Sequence, residues 1–216
     1  KGYNSDGLII GEAYLTNGII TSVSIYDRSG VGVVVVLQYG KGAGLALVMQ
    51  SKTTIDNSGR ITKVETYVNG ALDKVLEKTY HGASTTLASE LLRNASGAYL
   101  EARAYDTIGR IIAEVGFADG LMSTFSLYDR SVAGQVTVSN YAKNGGLAFV
   151  LQSEDIYNSA NLKIGYIHYS NGIKDYTEEF FYSNGEVTER QVLDASGKLK
   201  ERHIIDPHTG ITRTSA

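Results

Sequence analysis

The feature that most restricts what this chain can fold into is a turn signal that returns about every twelve residues. An aromatic or aliphatic residue, followed within a few positions by Asn, Asp, Ser or Gly, recurs from Tyr3, Tyr14, Tyr26 and Tyr39 through to Tyr182, Leu193 and Ile205. Most intervals are 11 to 13 residues, and twelve of the fifteen tyrosines sit on the beat. A weaker copy, Arg93 with Asn94, Ser96 and Gly97, fills the one gap. Steps such as Asn17-Gly18, Asn69-Gly70, Asp119-Gly120, Asn171-Gly172 and Asn184-Gly185 tolerate the left-handed backbone that two-residue hairpin turns demand. Removing about four turn residues from each period leaves strands of roughly seven to eight residues. The expectation is an all-β, antiparallel up-and-down meander of about 16 to 17 short strands.

A second level lies above the first. Two intervals, Tyr39 to Ile55 and Tyr141 to Tyr157, stretch to 16, and they lie 102 positions apart. Tyr26-Asp27-Arg28-Ser29 returns as Tyr128-Asp129-Arg130-Ser131, and Leu45 to Ser51 returns as Leu147 to Ser153, by the same shift of 102. The chain therefore reads as one repeat-built β domain over 1–216, made of two homologous halves, about 3–104 and 105–216.

The strands differ in character. Val31 to Leu37, Leu45 to Met49, Val136 to Val138 and Leu147 to Leu151 are almost wholly apolar, as expected of strands covered on both faces. Leu72 to Lys78, Glu186 to Gln191 and Lys198 to His203 carry charge on both sides of the pleat and must meet water. A sheet wider than about ten strands normally curls, closes or splits into layers, so a curled or closed sheet is expected. Ser84 to Arg93 is the best helical alternative, since Leu87, Leu91 and Leu92 have helical spacing. The matching stretch of the second half, Glu186 to Leu193, alternates like a strand and favours a strand at both places.

Composition narrows the partners. A net charge of −3 with no basic cluster lacks the footprint needed to neutralise phosphates, so nucleic acid is not expected. No apolar run reaches the length of a membrane-spanning helix, and membrane insertion is not expected. Absence of cysteine excludes disulfides and thiolate metal sites. The first residue, Lys1, suggests a processed product or an excised piece of something longer. Free sheet edges invite pairing, which makes a homo-oligomer joined through those edges an expected assembly.

Ala104-Tyr105-Asp106-Thr107-Ile108-Gly109-Arg110-Ile111 resembles the Tyr-Asp-x-x-Gly-Arg-Leu pattern of the YD repeats of bacterial Rhs proteins. Asp56 to Ile61 and Asp194 to Leu199 repeat the signature without the Tyr, and Ile205 to Gly210 is similar to a segment near the end of Rhs cores. The resemblance implies a β-strand scaffold from a large secreted or surface-exposed bacterial protein. Rhs shells use many more repeats, and the autoproteolytic motif that follows their cores is not found here. The resemblance therefore implies architecture and not cleavage.

Candidate chemistry is sparse. His203, Asp206 and His208 have spacing that could ligate a metal, but they also suit an ordinary turn, and no metal or cofactor is expected. Glu178 and Glu179 are neighbours that a strand would point to opposite faces, which suits them poorly to paired acid chemistry. The most pointed feature is the duplicated Tyr-Asp-Arg-Ser. Arg28 and Arg130 could grip a carboxylate or sulfate while Tyr26 and Tyr128 stack on a sugar ring, with Asp27 and Asp129 beside them. Alternatively, Asp and Ser close an Asx-type turn and Arg covers an apolar neighbour with its stem. Three functions stay open: a non-enzymatic structural or binding repeat module with a protein partner, a carbohydrate-binding module using rows of tyrosines, and an enzyme holding an apolar or aromatic small molecule within the β structure.

Overall fold

The computed structural model describes residues 1–42, 46–206, 209 and 212–215. It divides into two compact units, Lys1–Ile111 with Phe117–Leu121, and Ile112–Gly116 with Met122–Ala216. Described residues form strands and no helix. The first unit holds β1 (Gly2–Tyr3), β2 (Ile9–Thr16), β3 (Ile19–Asp27), β4 (Val33–Lys41), β5 (Leu47–Asp56), β6 (Ile61–Val68), β7 (Ala71–Tyr80), β8 (Leu87–Asn94) and β9 (Tyr99–Tyr105). β10 (Ile111–Ala118) gives residues to both units. The second holds β11 (Leu121–Asp129, all but its first residue), β12 (Gln135–Lys143), β13 (Phe149–Asn158), β14 (Lys163–Ser170), β15 (Ile173–Ser183), β16 (Glu186–Asp194), β17 (Leu199–Ile205) and β18 (Thr212–Ser215).

Within each unit every strand pairs antiparallel with its sequence neighbours, giving the expected up-and-down meander. Among the described residues β1 does not pair with β9, nor β11 with β18. Ser84 to Arg93 contributes to a strand: Leu91 pairs with Glu77 and Leu92 with Leu76, on opposite faces of β8.

The turns follow directly from residue chemistry. Asn17, Asn69, Asp119, Asn171 and Asn184 hold φ of 51 to 54°, and each following glycine is also positive, as a type I′ turn requires. These turns use only two residues, which lets many strands run longer than expected. Several other tight turns rest on an Asx side chain. Asp56 Oδ1 accepts the N–H groups of Ser58 and Arg60, both at 2.9 Å, while the Gly59 N–H closes on the Asp56 carbonyl at 3.0 Å. Asp106, Asn158 and Asp194 build the same turn.

The recurrent tyrosine marks a β-bulge. Register slips by one residue at Tyr14, Tyr39, Tyr67 and Tyr80, and again at Tyr141, Tyr157, Tyr169 and Tyr182. Where an aliphatic or Arg residue holds the beat, at Ile55, Arg93 and Leu193, the slip persists. The extra residue lies on the following strand, and where it is a threonine its hydroxyl can bond back across the gap: Thr21 Oγ1 donates to the Tyr14 carbonyl at 3.2 Å and Thr188 Oγ1 to the Phe181 carbonyl at 3.3 Å. Each such bulge shifts the inward and outward sets of its strand by one position and raises the twist, whereas β3–β4 and β11–β12, the pairs that hold Tyr26 and Tyr128, keep register without one.

Burial corrects one expectation. The apolar strands are not deeply buried on both faces: among the described residues β4, β5, β12 and β13 keep most side chains only half-buried. Val31 is 101% exposed and Leu147 91% exposed, both in loops ahead of β4 and β13, while Leu45 lies outside the described residues. Buried apolar side chains among the described residues are Val36 in the first unit and Val138 in the second, on the two strands that precede the stretched intervals.

Candidate functional site

Tyr26 and Asp27 end β3, so they point to opposite faces: Tyr26 pairs with Val36 and Asp27 with Val35. Asp27 is committed to the turn, its Oδ1 accepting the Ser29 N–H at 2.9 Å. Asp129 does the same with Ser131 at 2.8 Å and also accepts the Ser131 hydroxyl at 2.9 Å. The backbone and side-chain hydrogen bonds from each serine hold both carboxyls below the usual carboxylate range.

Tyr and Arg of the motif meet on one face. The Arg28 guanidinium lies 5.5 Å from the centre of the Tyr26 ring and donates to the Ile9 carbonyl. Arg130 lies 5.7 Å from the Tyr128 ring centre. The Tyr26 hydroxyl donates to Glu12 Oε2 at 3.3 Å, and the Tyr128 hydroxyl donates to Glu114 Oε2. Glu12 also takes the Lys1 ammonium at 2.9 Å and the Tyr14 hydroxyl at 3.3 Å. The Lys1 hydrogen bond, opposed by burial, keeps the Glu12 carboxyl low, while burial followed by the Glu12 charge pushes the Tyr26 phenol up. Glu12 and Glu114 were not singled out in the sequence. They stand 102 positions apart, and laying one half over the other would have exposed them.

Tyr26 and Arg28 line an open cleft of about 530 Å³ in the first unit. Its apolar floor is Val34, Val36 and Ile55, and its rim is formed by the Gly30 to Gly32 loop and by Asn57. Gly32 has φ +69° and sits so near Asn57 that a Cβ there would touch the Asn57 Cβ at 3.6 Å. The arrangement can hold a flat, apolar-faced ligand against the valines and the ring, with an anionic group at the guanidinium. Asp56 also lines the cleft, but its carboxylate is tied to Arg60 at 2.8 Å and to its own turn.

Most other tyrosines on the beat are half-buried cross-strand residues rather than an open row. Tyr105 donates to Glu90 and Tyr169 to Glu154, each at 2.6 Å. Tyr14 is 56% exposed and Tyr3 55% exposed. His203 uses Nε2 on Glu201 and Nδ1 on the Thr214 hydroxyl, both at 3.1 Å, while His208 lies outside the described residues. Groups of His, Asp and Glu that could hold a metal ion are absent among the described residues. Glu178 and Glu179 do split to opposite faces: Glu178 receives the Arg190 guanidinium, and Glu179 stands opposite Gly165.

No protein-family model and no curated protein matches the sequence. Among solved structures, a porin-like protein from Bacteroides uniformis is similar at 11% identity and a TM-score of 0.29, over 94% of this chain and 91% of that one. A protein of unknown function from Bacteroides fragilis is similar at 9% identity and a TM-score of 0.21, over 94% of each chain.

Proposed function

We propose that this chain is a non-enzymatic structural and binding repeat module of a bacterial secreted or cell-surface protein, built from two homologous halves. The observation that carries the reading is how little is buried: among the described residues the buried apolar side chains are Val36 and Val138, and within each unit strands contact their sequence neighbours. Such an element gains little from an interior and much from surface and edges.

The duplication draws support from bonds that recur at the same shift. Tyr80 donates to the Ile61 carbonyl and Tyr182 to that of Lys163, at 2.7 and 2.8 Å. Thr21 bonds to Tyr14 as Ser123 bonds to Gly116, and the buried pair Val36 and Val138 obeys the same spacing. Kinship with YD-type repeats draws support from Arg60 and Arg110, whose Nε atoms each donate to the Asp four residues earlier at 2.8 Å. Antibody labelling of intact producing cells tests the location: label before lysis is the expected result, and label only after lysis contradicts the surface reading.

The cleft at Tyr26 and Arg28 favours a second reading, carbohydrate binding. A glycan array probed with the intact protein should then show retention of acidic sugars that is lost in Arg28→Ala. An array without signal removes that reading and leaves the structural one intact.

A further inference from the structure

The second unit carries an open cleft over β14 and β15. On the face shared by Ile156, Gly165, Thr177, Glu179 and Phe181 an open space of about 310 Å³ lies over Gly165, walled by Ile156, Ile164 and Phe181. Two polar groups at this cleft have no use within the fold. Thr177 Oγ1 is buried and makes no hydrogen bond with the described residues. Glu179 is half-buried and, among the described residues, makes neither an ion pair nor a side-chain hydrogen bond. Burial of polar atoms without partners costs stability, so their convergence on an apolar cleft marks a place for a ligand.

The register identifies the chemistry. In the first unit Lys63 stands between Thr54 and Glu77, and Arg93 pairs with Glu77 at 3.1 Å. In the second unit Gly165 stands between Ile156 and Glu179, and Leu193 holds the bulge position that Arg93 holds earlier. The acid is kept while Arg93, the cation that pairs with it in the first unit, has no counterpart; Lys63, opposite Glu77 in register, is itself held by Glu65 at 2.9 Å. The space left over Gly165 lies where a lysine stem would run from the strand opposite Glu179.

We propose that this cleft binds an alkylammonium group, its aliphatic stem against Ile156, Ile164 and Phe181 and its ammonium at Glu179 and the Thr177 hydroxyl. A carboxylate beside an aromatic face favours a cation, and the aliphatic walls favour a primary amine on a hydrocarbon stem over a bare inorganic ion. The comparison with Lys63 rests on the duplication proposed above, whereas the cleft and its two unpartnered groups do not.

Amide NMR of the intact protein titrated with n-pentylamine tests the assignment. Saturable shifts at Gly165, Thr177 and Glu179 are expected, with n-pentanol at least tenfold weaker and Glu179→Gln reducing affinity at least tenfold. Gly165→Lys, which supplies the stem from within, should abolish the response. The atoms nearest a Cβ at Gly165 belong to the Ile156 side chain, its Cδ1 at 3.2 Å and its Cβ at 3.4 Å, so the flexible end can give way and this variant decides the matter if Glu179→Gln does not fold. Equal binding of amine and alcohol, unchanged binding in Gly165→Lys, or no shift at those amides overturns the proposal. Tighter binding of cadaverine than of Nα-acetyl-lysine methylamide assigns the site to free polyamines, and the reverse assigns it to lysine side chains.

Discussion

Tyr80 and Tyr182 each reach back nineteen residues to a carbonyl at the bulge of the preceding hairpin. The ring covers the irregular place in the sheet and the hydroxyl satisfies a carbonyl beside that irregularity. Tyr80→Phe should therefore lower stability by about 1 kcal/mol, seen as a fall in the urea midpoint with an unchanged slope. Tyr105 and Tyr169 add a pH signature. Burial, followed by the hydrogen bonds to Glu90 and Glu154, pushes both phenols up to about 12. A phenol raised in the folded state stabilises it below the ordinary phenol pKa near 10, and that contribution disappears as pH rises from about 10 through 12. Denaturant midpoints measured from pH 9 to 12 should fall, and the double variant Tyr105→Phe, Tyr169→Phe should show a flatter decline. Glu189 behaves in the opposite sense. Hydrogen bonds from Arg202 and then Gln191 bring its carboxyl down to about 2. Its contribution is complete above about 4.5 and is lost as pH falls through 2, so Arg202→Gln should blunt the acid side of the same curve.

At the scale of the strand and turn, much was legible because the turn residues carry their backbone geometry with them. Asn17-Gly18 and its four counterparts announce left-handed positions, and each is found there. The tyrosine rhythm was legible as a rhythm, but its meaning as a bulge was not. The extra residue opposite, such as Thr21, looks like any strand threonine until its register is seen. The run Val33-Val34-Val35-Val36 misled more seriously. Continuous apolar residues imply cover on both faces only where another layer exists, and β4 keeps all but Val36 of its residues half-buried or exposed. Gly97 isolates the turn term, since it has φ +87° and nothing within 4 Å of an added Cβ. Gly97→Ala should cost about 1 to 2 kcal/mol through backbone conformation alone, read as a lower thermal midpoint without loss of strand signal.

At the scale of the molecule, each unit is held by a ladder of neighbour contacts in place of an interior. Lys52 and Lys63 clamp Glu65 at 3.0 and 2.9 Å, and Lys78 holds Glu90 at 2.9 Å. The candidate site was legible only in part. Tyr26 and Arg28 come together as the duplicated motif suggested, but Asp27 is spent on its turn. The cleft over Gly165 could not be read at all, because a strand glycine shows its consequence only once its cross-strand neighbours are known. A sheet stabilised between neighbours should open by degrees rather than all at once. Native-state amide hydrogen exchange on the intact chain measures this most directly. Protection should peak on β4 near Val36 and on β12 near Val138, then fall strand by strand towards β1 and β18. A single opening free energy shared by all strands of a unit would contradict the account.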